Sequence, residues 1–536
     1  MLSNWNCWNG LWFESGLKKG IGYESGLVLN EQLYRSLCVA CDRILLAADS
    51  TIERVSIPWL HVVREHPVFL KNYNEIVENK RGQKLTLQRW LRLIKNKVWW
   101  LYQLGKSIRS DGKLWYGPQE FDLQTDVLLV SHLINVSHAG LDDDFYFGNL
   151  PNDLVKQGHK VVLVLMNHTG KSSAELTEKW IDSAVPRIIL SGSLGILDEI
   201  TLHFQLKKEA ARLRQLFLRE PLGLIRRVLK RATDEALSGG AHTTLRMSKQ
   251  IDVLVTKLQP KLIAVTHEGH AWERVSFAAA RRAHPSVHCI GYQHAAVFKL
   301  QHAIRRKLAS AYNPEHILTA GAVSKFQLGN APDLAGIPIS ILGSNRYFKG
   351  SKENADQEVK PTKLLNNSSG RVCLVIPEGI PSECLVLFYF TLRCARSYPD
   401  IKFIWRMHPI LSFEELLSKN SDLKILPDNI TISQVKIEED IAQSSWALYR
   451  GSTSIIQAVM AGLKPIYLAQ SDELSIDPLY EVGCGREIIS MPEELQKIIF
   501  SQREDIDVQM ELEKVQEYCK SFYMPFNDVV LSSLIQ

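Results

Sequence analysis

The sequence of 536 residues lacks the features that mark membrane-spanning, secreted and nucleic-acid-binding chains. It contains no uninterrupted apolar run of about 18 residues, so no membrane span is expected. Its first residues do not combine a charged segment with an apolar one, so no signal peptide is expected. The net charge of +5, from 63 basic and 58 acidic residues, is too small to indicate a nucleic-acid partner. We therefore predict a cytoplasmic protein whose contact with the inner membrane, if it has one, is peripheral.

The cysteines are few and do not form a recognisable framework. Nine are scattered along the chain, and an odd, dispersed set does not fit the disulfide pattern of a secreted domain. Cys38 and Cys41 form one CxxC pair within the apolar segment Leu37–Ala47, but no second pair follows at a spacing typical of zinc sites. We predict a helix here with buried thiols, and no metal.

The chain has enough apolar residues, 45% of the total, to bury several cores. Residues 1–120 are rich in Trp and Leu, and the apolar residues of Gln88–Tyr102 recur at helical spacing. We predict an N-terminal helical region over 1–120 whose tryptophans pack in a core. Contact of exposed tryptophans with a partner or with lipid is the alternative.

From Asp126 onward, short apolar runs alternate with helix-like segments. Continuous apolar runs are typical of parallel strands that are covered on both faces. The alternation predicts a Rossmann-like domain over 121–335. Its predicted strands are Asp126–Ser131, Lys160–Met166, Arg187–Ser191, Lys261–Val265, His288–Tyr292 and His316–Thr319.

A helical insertion is predicted over 197–258, between the third and fourth of these strands. Its part from Gln205 to Gln250 contains eleven Lys or Arg against four Asp or Glu, interleaved with leucines and other apolar residues. A basic amphipathic helix can lie on an anionic membrane surface. This segment is therefore a candidate for peripheral contact with the inner membrane, and packing on the sheet is the alternative.

A second alternating series follows the polar segment Lys349–Gly370, which we interpret as a linker. The series predicts a second Rossmann-like domain, over 336–536. Two such α/β units place a cleft at the carboxyl ends of their strands, where ligands bind. The predicted strands are Arg371–Ile376, Ile401–Trp405, Asn429–Ile432, Trp446–Tyr449 and Pro465–Leu468.

Two motifs follow strands of the second domain. Arg406, His408 and Pro409 come directly after Ile401–Trp405, where a guanidinium and an imidazole can bind phosphate oxygens. The second motif follows Trp446–Tyr449 and opens a helix, where a glycine, hydroxyls and free N–H groups favour an anion. A surface turn and an ordinary helix cap are the alternatives. This second motif consists of Gly451, Ser452, Thr453 and Ser454.

Two further motifs follow strands of the first domain. Glu268 lies directly after Lys261–Val265 and is a candidate general base. His267 and His270 flank it and are expected to line the cleft, but their spacing does not match the HExxH zinc pattern, so we predict no metal. A structural role for Glu268, such as capping the next helix, is the alternative. Gln293 and His294 follow the next strand and are expected to line the cleft.

Three consecutive acids, Asp142, Asp143 and Asp144, follow the first strand of this domain. The motifs of the second domain resemble those of bacterial sialyltransferases, and this resemblance implies that any of the three could be the catalytic base instead of Glu268. The alternative is that they stabilise a helix N-terminus, where the helix dipole favours negative charge.

His408-Pro409 and Ser452-Thr453-Ser454 resemble, in order and spacing, two motifs of bacterial sialyltransferases, capsule Kdo transferases and related polymer glycerophosphotransferases. The resemblance implies a GT-B-type fold and a site for the phosphate of a CMP- or CDP-linked donor. Gln293-His294 is similar to the Gln-His-Gly element of capsule transferases, although Ala295 replaces the glycine. The block from Glu268 to Arg306 resembles bacterial surface-carbohydrate biosynthesis proteins.

Together these features predict a glycosyltransferase without a cofactor. Its partners would be a nucleotide sugar, which could be a CMP-activated ulosonic or nonulosonic acid, and a surface-polysaccharide or lipid-linked glycan acceptor, with no nucleic acid. Two alternatives stay open: a nucleotide-sugar epimerase of the same architecture, and a non-catalytic scaffold for glycan assembly.

Overall fold

The fold is seen in a computed structural model, which describes residues 30–77, 83–109, 112–120, 124–180, 183–347, 371–409, 411–471, 473–501 and 505–535. The predicted linker Lys349–Gly370 and the Trp-rich residues 1–29 lie outside the described residues. The described chain forms two separate sheets, each flanked by helices.

The first sheet has eight strands in the order β1-β4-β3-β2-β5-β6-β7-β8. All neighbours are parallel except β1, which pairs antiparallel with β4. Every residue of β2 is buried, as expected for a parallel strand between two layers of helices. The strands are β1 Trp115–Tyr116, β2 Val127–Leu133, β3 Val161–Asn167, β4 Arg187–Leu190, β5 Leu262–Thr266, β6 His288–Gln293, β7 His316–Thr319 and β8 Ile339–Ile341.

The second sheet has six strands in the order β11-β10-β9-β12-β13-β14, and all neighbours are parallel. Together the two sheets confirm the predicted fold class of two Rossmann-like α/β units. The strands are β9 Val372–Ile376, β10 Lys402–Trp405, β11 Ile430–Ile432, β12 Trp446–Tyr449, β13 Lys464–Leu468 and β14 Glu487–Ile489.

The helices complete the layers around the sheets. In the N-terminal part they are Glu31–Leu45, Ile52–Val55, Pro67–Leu70, Asn74–Val77 and Gln83–Arg109. Around the first sheet they are Leu150–Lys156, Ser173–Thr177, Ile196–Arg219, Leu224–Glu235, Gly239–Leu258, Ala271–Ala283 and Ala322–Gly329. In the remainder they are Pro381–Ser397, Phe413–Lys419, Ile437–Ala442, Ser454–Met460, Pro492–Phe500, Asp505–Lys520 and Asp528–Ser532.

The boundaries of the two units differ from the predicted ones at three places. β1 adds the end of the N-terminal region to the first sheet, and β8 extends that sheet beyond residue 335. The helix Asp528–Ser532 also returns to the first unit, where Leu531 joins the core beneath the sheet. Backbone hydrogen bonds, from Ser344 N–H to Met524 C=O (2.8 Å) and from Asn527 N–H to Leu342 C=O (2.7 Å), fix this return.

Three helices occupy the stretch between β4 and β5, where the insertion was predicted. Their apolar faces pack against residues 34–77, so they form one core with the N-terminal region. Arg54 and Glu209 join the two parts through a fully buried ion pair with an Nε–Oε1 distance of 2.6 Å. The apolar residues of 205–250 on which the predicted membrane contact was based therefore face the protein: Leu213, Leu216, Phe217, Leu224, Ile225, Val228 and Leu229.

The helix Gln83–Arg109 corrects a second prediction. Trp90 was expected in a core with the other tryptophans but is 61% exposed, and Leu91, Ile94 and Val98 beside it are also more than half exposed. Trp59 and Trp115 of the same region are buried as predicted. Cys38 and Cys41 are likewise buried as predicted, and burial raises the pKa of the Cys38 thiol to about 12. Within the described ranges, no helix combines the length and the apolar character needed to span a bilayer.

Candidate active site

A group of histidines lies at the carboxyl edge of the first sheet. Four neighbouring strands, β3, β2, β5 and β6, each end in or are followed by one of them: His168, His132, His270 and His294. We call these four residues the histidine cluster. His132 Nδ1 lies 2.9 Å from His168 Nε2. Burial lowers the pKa of His168 and of His294 to about 4, so both imidazoles are neutral at pH 7.

Glu268 lies beside this cluster and is paired with a cation. Its carboxylate forms an ion pair with Arg64, and its Oε2 lies 3.4 Å from His270 Nε2. Burial alone would raise the pKa of Glu268, but Arg64 and His270 outweigh burial and hold that pKa well below its usual range. A carboxylate so stabilised as an anion is a weak proton acceptor. The predicted role of Glu268 as the base is therefore poorly matched to its surroundings.

The turn that presents Glu268 and His270 is organised by Glu273. The carboxylate of Glu273 accepts hydrogen bonds from the N–H groups of Glu268, Gly269 and His270, at 2.7–3.0 Å. Gly269 has a φ of +91°, and a Cβ there would collide with the backbone opposite. His267 is buried and its Nδ1 lies 2.9 Å from Glu273 Oε2. His267 thus holds the turn and does not line the cleft as predicted.

The two residues of the turn after β6 that were predicted to line the cleft have different surroundings. Gln293 is buried and donates a hydrogen bond to the carbonyl of Ala295, so it shapes the turn and does not line the cleft. His294 packs on the ring of Tyr146 with a centroid distance of 4.0 Å. Among the described residues its Nδ1 is buried without a hydrogen-bond partner. A neutral imidazole with an unsatisfied nitrogen can accept or donate one hydrogen bond to a bound ligand.

The three aspartates after β2 have different surroundings. Asp142 and Asp143 are exposed, whereas Asp144 is buried. The carboxylate of Asp144 accepts hydrogen bonds from Ser131 Oγ (2.8 Å) and from two backbone N–H groups, including that of Tyr146. Burial raises the pKa of Asp144. All three contacts go to Oδ1, and they assign Asp144 to shaping the loop that carries Tyr146.

A cavity of about 440 Å³ lies between the second sheet and the segments that connect the two units. This volume is within the range of small-molecule sites. His408, after β10, and Thr453 and Ser454, at the start of the helix after β12, line it together. Burial lowers the pKa of His408. The lining residues are Asn345, Arg346, Tyr347, His408, Thr453, Ser454, Ile456, Gln457, Met460, Cys519, Lys520 and Tyr523.

Arg406 does not join His408 at this cavity. Its Nη1 donates to Asp440 (2.6 Å) and to the carbonyl of Val435 (2.9 Å), and so connects β10 to the helix Ile437–Ala442. The prediction that Arg406 holds a phosphate is not supported, because Asp440 already neutralises its charge. Pro409 lies exposed at the surface after His408.

Gly451 has no side chain, and the carboxylate of Glu378 lies in the space next to it. A Cβ at Gly451 would lie 2.7 Å from Glu378 Oε1, so the close backbone approach that was expected for a phosphate is to Glu378. His66 Nε2, from the N-terminal region, lies 3.0 Å from the same oxygen. Ser452 is buried beside them. The first half of the predicted Gly-Ser-Thr-Ser motif is thus structural, and the second half lines the cavity.

Several cations and one aromatic residue at the site were not predicted. Arg346 lines the cavity and lies 5.9 Å from the ring centroid of Tyr523. Lys520 lines the same cavity. Arg64, which pairs with Glu268, is separated from it by 204 residues in the sequence. Arg346 follows β8 and so obeys the rule that site residues follow strands. It was missed because β8 is short and only half-buried.

One group of residues has the composition of a metal site. Ligand atoms of His66, Glu378 and Glu383 lie within 4.8 Å of one another, and no other such group occurs in the described ranges. Glu383 forms an ion pair with Arg450 Nε at 2.8 Å, however, and Glu378 contacts His66. The protein's own groups thus provide contacts for both carboxylates, and the arrangement does not imply a cation.

No family model and no curated protein sequence matches the chain. Similar solved structures include the glycotransferase of kitacinnamycin, with TM-score 0.45 and 12% identity over 77% of this chain and 99% of that one. The glycosyltransferase SnogD from Streptomyces nogalater has TM-score 0.41 and 13% identity over 77% and 100%. The UDP-GlcNAc 2-epimerase from Neisseria meningitidis has TM-score 0.38 and 13% identity over 77% and 99%. These likenesses are too distant to transfer an activity to this chain.

Proposed function

We propose that the chain is a glycosyltransferase that moves a sugar from a nucleotide donor to a hydroxyl group of a glycan acceptor. One observation carries the proposal: the cavity joins His408, Thr453 and Ser454 to two cations, Arg346 and Lys520. Donors and positive charge suited to a phosphate thus lie in one concave site. The nucleotide sugar is a substrate, and the proposed reaction uses no cofactor.

On the donor side, the phosphate is the leaving group. The bond between the anomeric carbon and the phosphate oxygen breaks, and negative charge grows on that oxygen. Arg346 and Lys520 stabilise this charge, while His408, Thr453 and Ser454 supply hydrogen-bond donors. Arg346 takes the role that the sequence suggested for Arg406.

On the acceptor side, we assign the proton acceptor to His270. The acceptor hydroxyl attacks the anomeric carbon and passes its proton to the imidazole. Glu268, 3.4 Å from His270 Nε2, stabilises the imidazolium, as the carboxylate does in a catalytic triad. Arg64 keeps Glu268 ionised, and neutral His294 is placed to hydrogen-bond a sugar hydroxyl.

The finer identity of the substrates rests on the sequence resemblance. It suggests a CMP-activated ulosonic or nonulosonic acid as donor and a surface polysaccharide or lipid-linked glycan as acceptor. The experiments below distinguish these from other nucleotides and from the epimerase and scaffold alternatives.

The first test is a thermal-shift panel of CMP, CDP, UDP and GDP against the wild type, His408→Ala and His284→Ala. A ligand that binds the native state raises the melting temperature. We expect one nucleotide to stabilise the wild type and His284→Ala, whose histidine lies outside the cavity, and to lose its effect in His408→Ala. Stabilisation by no nucleotide would exclude both the transferase and the epimerase, and would leave the scaffold.

The second test separates the roles of His270 and Glu268 by measuring turnover of the donor with and without an acceptor. We expect His270→Ala to lower kcat by about 10²- to 10⁴-fold, which is typical for loss of a general base. Nucleotide binding should be unchanged, and Glu268→Gln should retain more activity than His270→Ala. Full activity in His270→Ala contradicts the assignment of the base, and sugar turnover without any acceptor indicates an epimerase.

A further inference from the structure

The helix Gln83–Arg109 packs on the protein through a side that combines charged and amide groups with the rings of Trp99 and Trp100. Arg89 donates two hydrogen bonds to Asp234, at 2.7 and 2.9 Å, and Arg92 contacts the carboxylate of Glu75 at 3.0 Å. Further along, Gln103 is buried and donates to the carbonyl of residue 192 at 3.0 Å. The helix is therefore oriented by charged and amide groups that face inward.

The opposite side of the same helix is apolar and exposed. Six residues, which we call the apolar stripe, are 52–69% exposed: Leu87, Leu91, Ile94, Val98, Leu101 and Ile108. Their spacing of four and three residues places them along one face of the helix. Trp90 and Tyr102 flank the stripe and are 61% and 50% exposed. A continuous apolar surface of this kind on a folded protein marks an interaction site.

The charges of the helix indicate what covers this surface. Between Leu87 and Arg109 there are six Lys or Arg and no Asp or Glu, and Arg89 and Arg92 are paired with acids of the protein. At 100° per residue, the exposed Lys97 lies at one border of the apolar stripe, and the exposed Arg109 lies on the other side of its midline. Lys97 and Arg109 thus give the stripe basic borders, and the helix has no acid beside them.

A second copy of the chain fits this surface poorly. Spacing of four and three residues suits a coiled coil, but stable coiled coils pair opposite charges beside the apolar seam. Two copies of this helix would bring like charges together. An anionic lipid surface is complementary both to the stripe and to its basic borders, and Trp and Tyr are favoured at such an interface.

We propose that the helix Gln83–Arg109 docks the protein on the surface of an anionic membrane. The apolar stripe enters the boundary between headgroups and acyl chains, and the basic residues contact the anionic headgroups. This inference does not rest on the proposed transferase activity, because it concerns a surface that the cavity and the histidine cluster do not include.

The test is co-sedimentation of the full chain with vesicles of phosphatidylcholine, with or without 30% phosphatidylglycerol. We expect binding to the anionic vesicles, with at least about tenfold weaker binding to pure phosphatidylcholine and in high salt, which screens exposed charges. The double variant Ile94→Glu/Val98→Glu should lose binding by at least about tenfold. Ile425→Glu is the matched control, since Ile425 is 81% exposed on the second unit, and it should bind as the wild type does.

Three results would overturn the proposal. They are no binding of the wild type to anionic vesicles, equal binding of the wild type and the double variant, and a wild-type dimer that the double variant dissociates while neither binds vesicles. Circular dichroism and thermal unfolding establish that the variants are folded. Light scattering during size-exclusion chromatography measures the oligomeric state.

Discussion

Two basic amphipathic segments, the helix Gln83–Arg109 and the insertion from Gln205 to Gln250, are alike in sequence and opposite in structure. The insertion turns its apolar residues inward, onto residues 34–77. The helix Gln83–Arg109 turns its apolar stripe outward, because Asp234 and Glu75 hold its arginines on the inner side, where Trp99 and Trp100 also lie. An amphipathic pattern therefore establishes that a helix has two faces, and the partners available on its neighbour decide which face is buried.

The largest expected effect is on the ion pair that joins the insertion to the N-terminal region. Glu209→Ala removes the fully buried carboxylate that Arg54 contacts, leaves the half-exposed Asp49 on that guanidinium and opens a cavity, so we expect a loss of about 3–5 kcal/mol in the free energy of unfolding. Urea denaturation measures it. Glu31→Ala, which removes the exposed partner of Arg35, is the control and should change stability by less than about 1 kcal/mol. Equal effects of the two variants would show that the insertion is not held by a buried pair.

The next effect compares the two segments directly. Leu213→Ala removes a fully buried side chain of the insertion, and we expect it to cost about 2–5 kcal/mol. Leu91→Ala makes the same change at a position that is 55% exposed, and should alter stability by no more than about 0.5 kcal/mol. The same urea titration serves both variants. A large loss in Leu91→Ala would mean that the apolar stripe is covered by the chain itself.

The smallest expected effect concerns the junction of the two segments, where His242 lies against Trp99 and Trp100. Burial lowers the pKa of His242 to about 4, whereas in the unfolded chain it is about 6.5. As the pH falls from 6.5 to 4, the unfolded chain takes up a proton that the folded chain does not, so stability is lost in this window. Between pH 7 and pH 5 this one group accounts for a loss of roughly 2 kcal/mol in the free energy of unfolding.

The measurement for His242 is the unfolding free energy of the wild type and of His242→Gln at several pH values. We expect the stability of the wild type relative to the variant to decrease as the pH falls from 7 to 4. A difference that stays constant with pH would show that His242 has the same pKa in the folded and the unfolded protein, and hence that the junction is open to water.

The strands were the most predictable part of the fold. His316–Thr319 and Trp446–Tyr449 have the predicted bounds, and most of the others differ by one or two residues. Continuous apolar runs explain this success, since strands that are buried on both faces require them. β1, β8 and β14 have only two or three residues and were missed, although β11, which also has three, was predicted.

The strand ends that carry the candidate residues could be located from the sequence, but the contacts of several of these residues could not. Arg406 was assigned to a phosphate, and its actual partner, Asp440, comes 34 residues later in the sequence. Glu268 was assigned as a base, and its partner Arg64 lies 204 residues earlier. Position after a strand could be inferred from local pattern, whereas charge pairing over such separations depends on how the whole chain folds.

The return of the chain to the first unit has a mechanical consequence. The chain leaves the first unit through residues 342–347 and re-enters it through residues 522–527. Backbone hydrogen bonds hold these two segments side by side. A rotation of one sheet relative to the other can therefore pivot at this crossing, while the contacts between His66 and Glu378 separate or close at some distance from it. Arg346 lies on this pivot, so its guanidinium would stay at the cavity throughout such a movement.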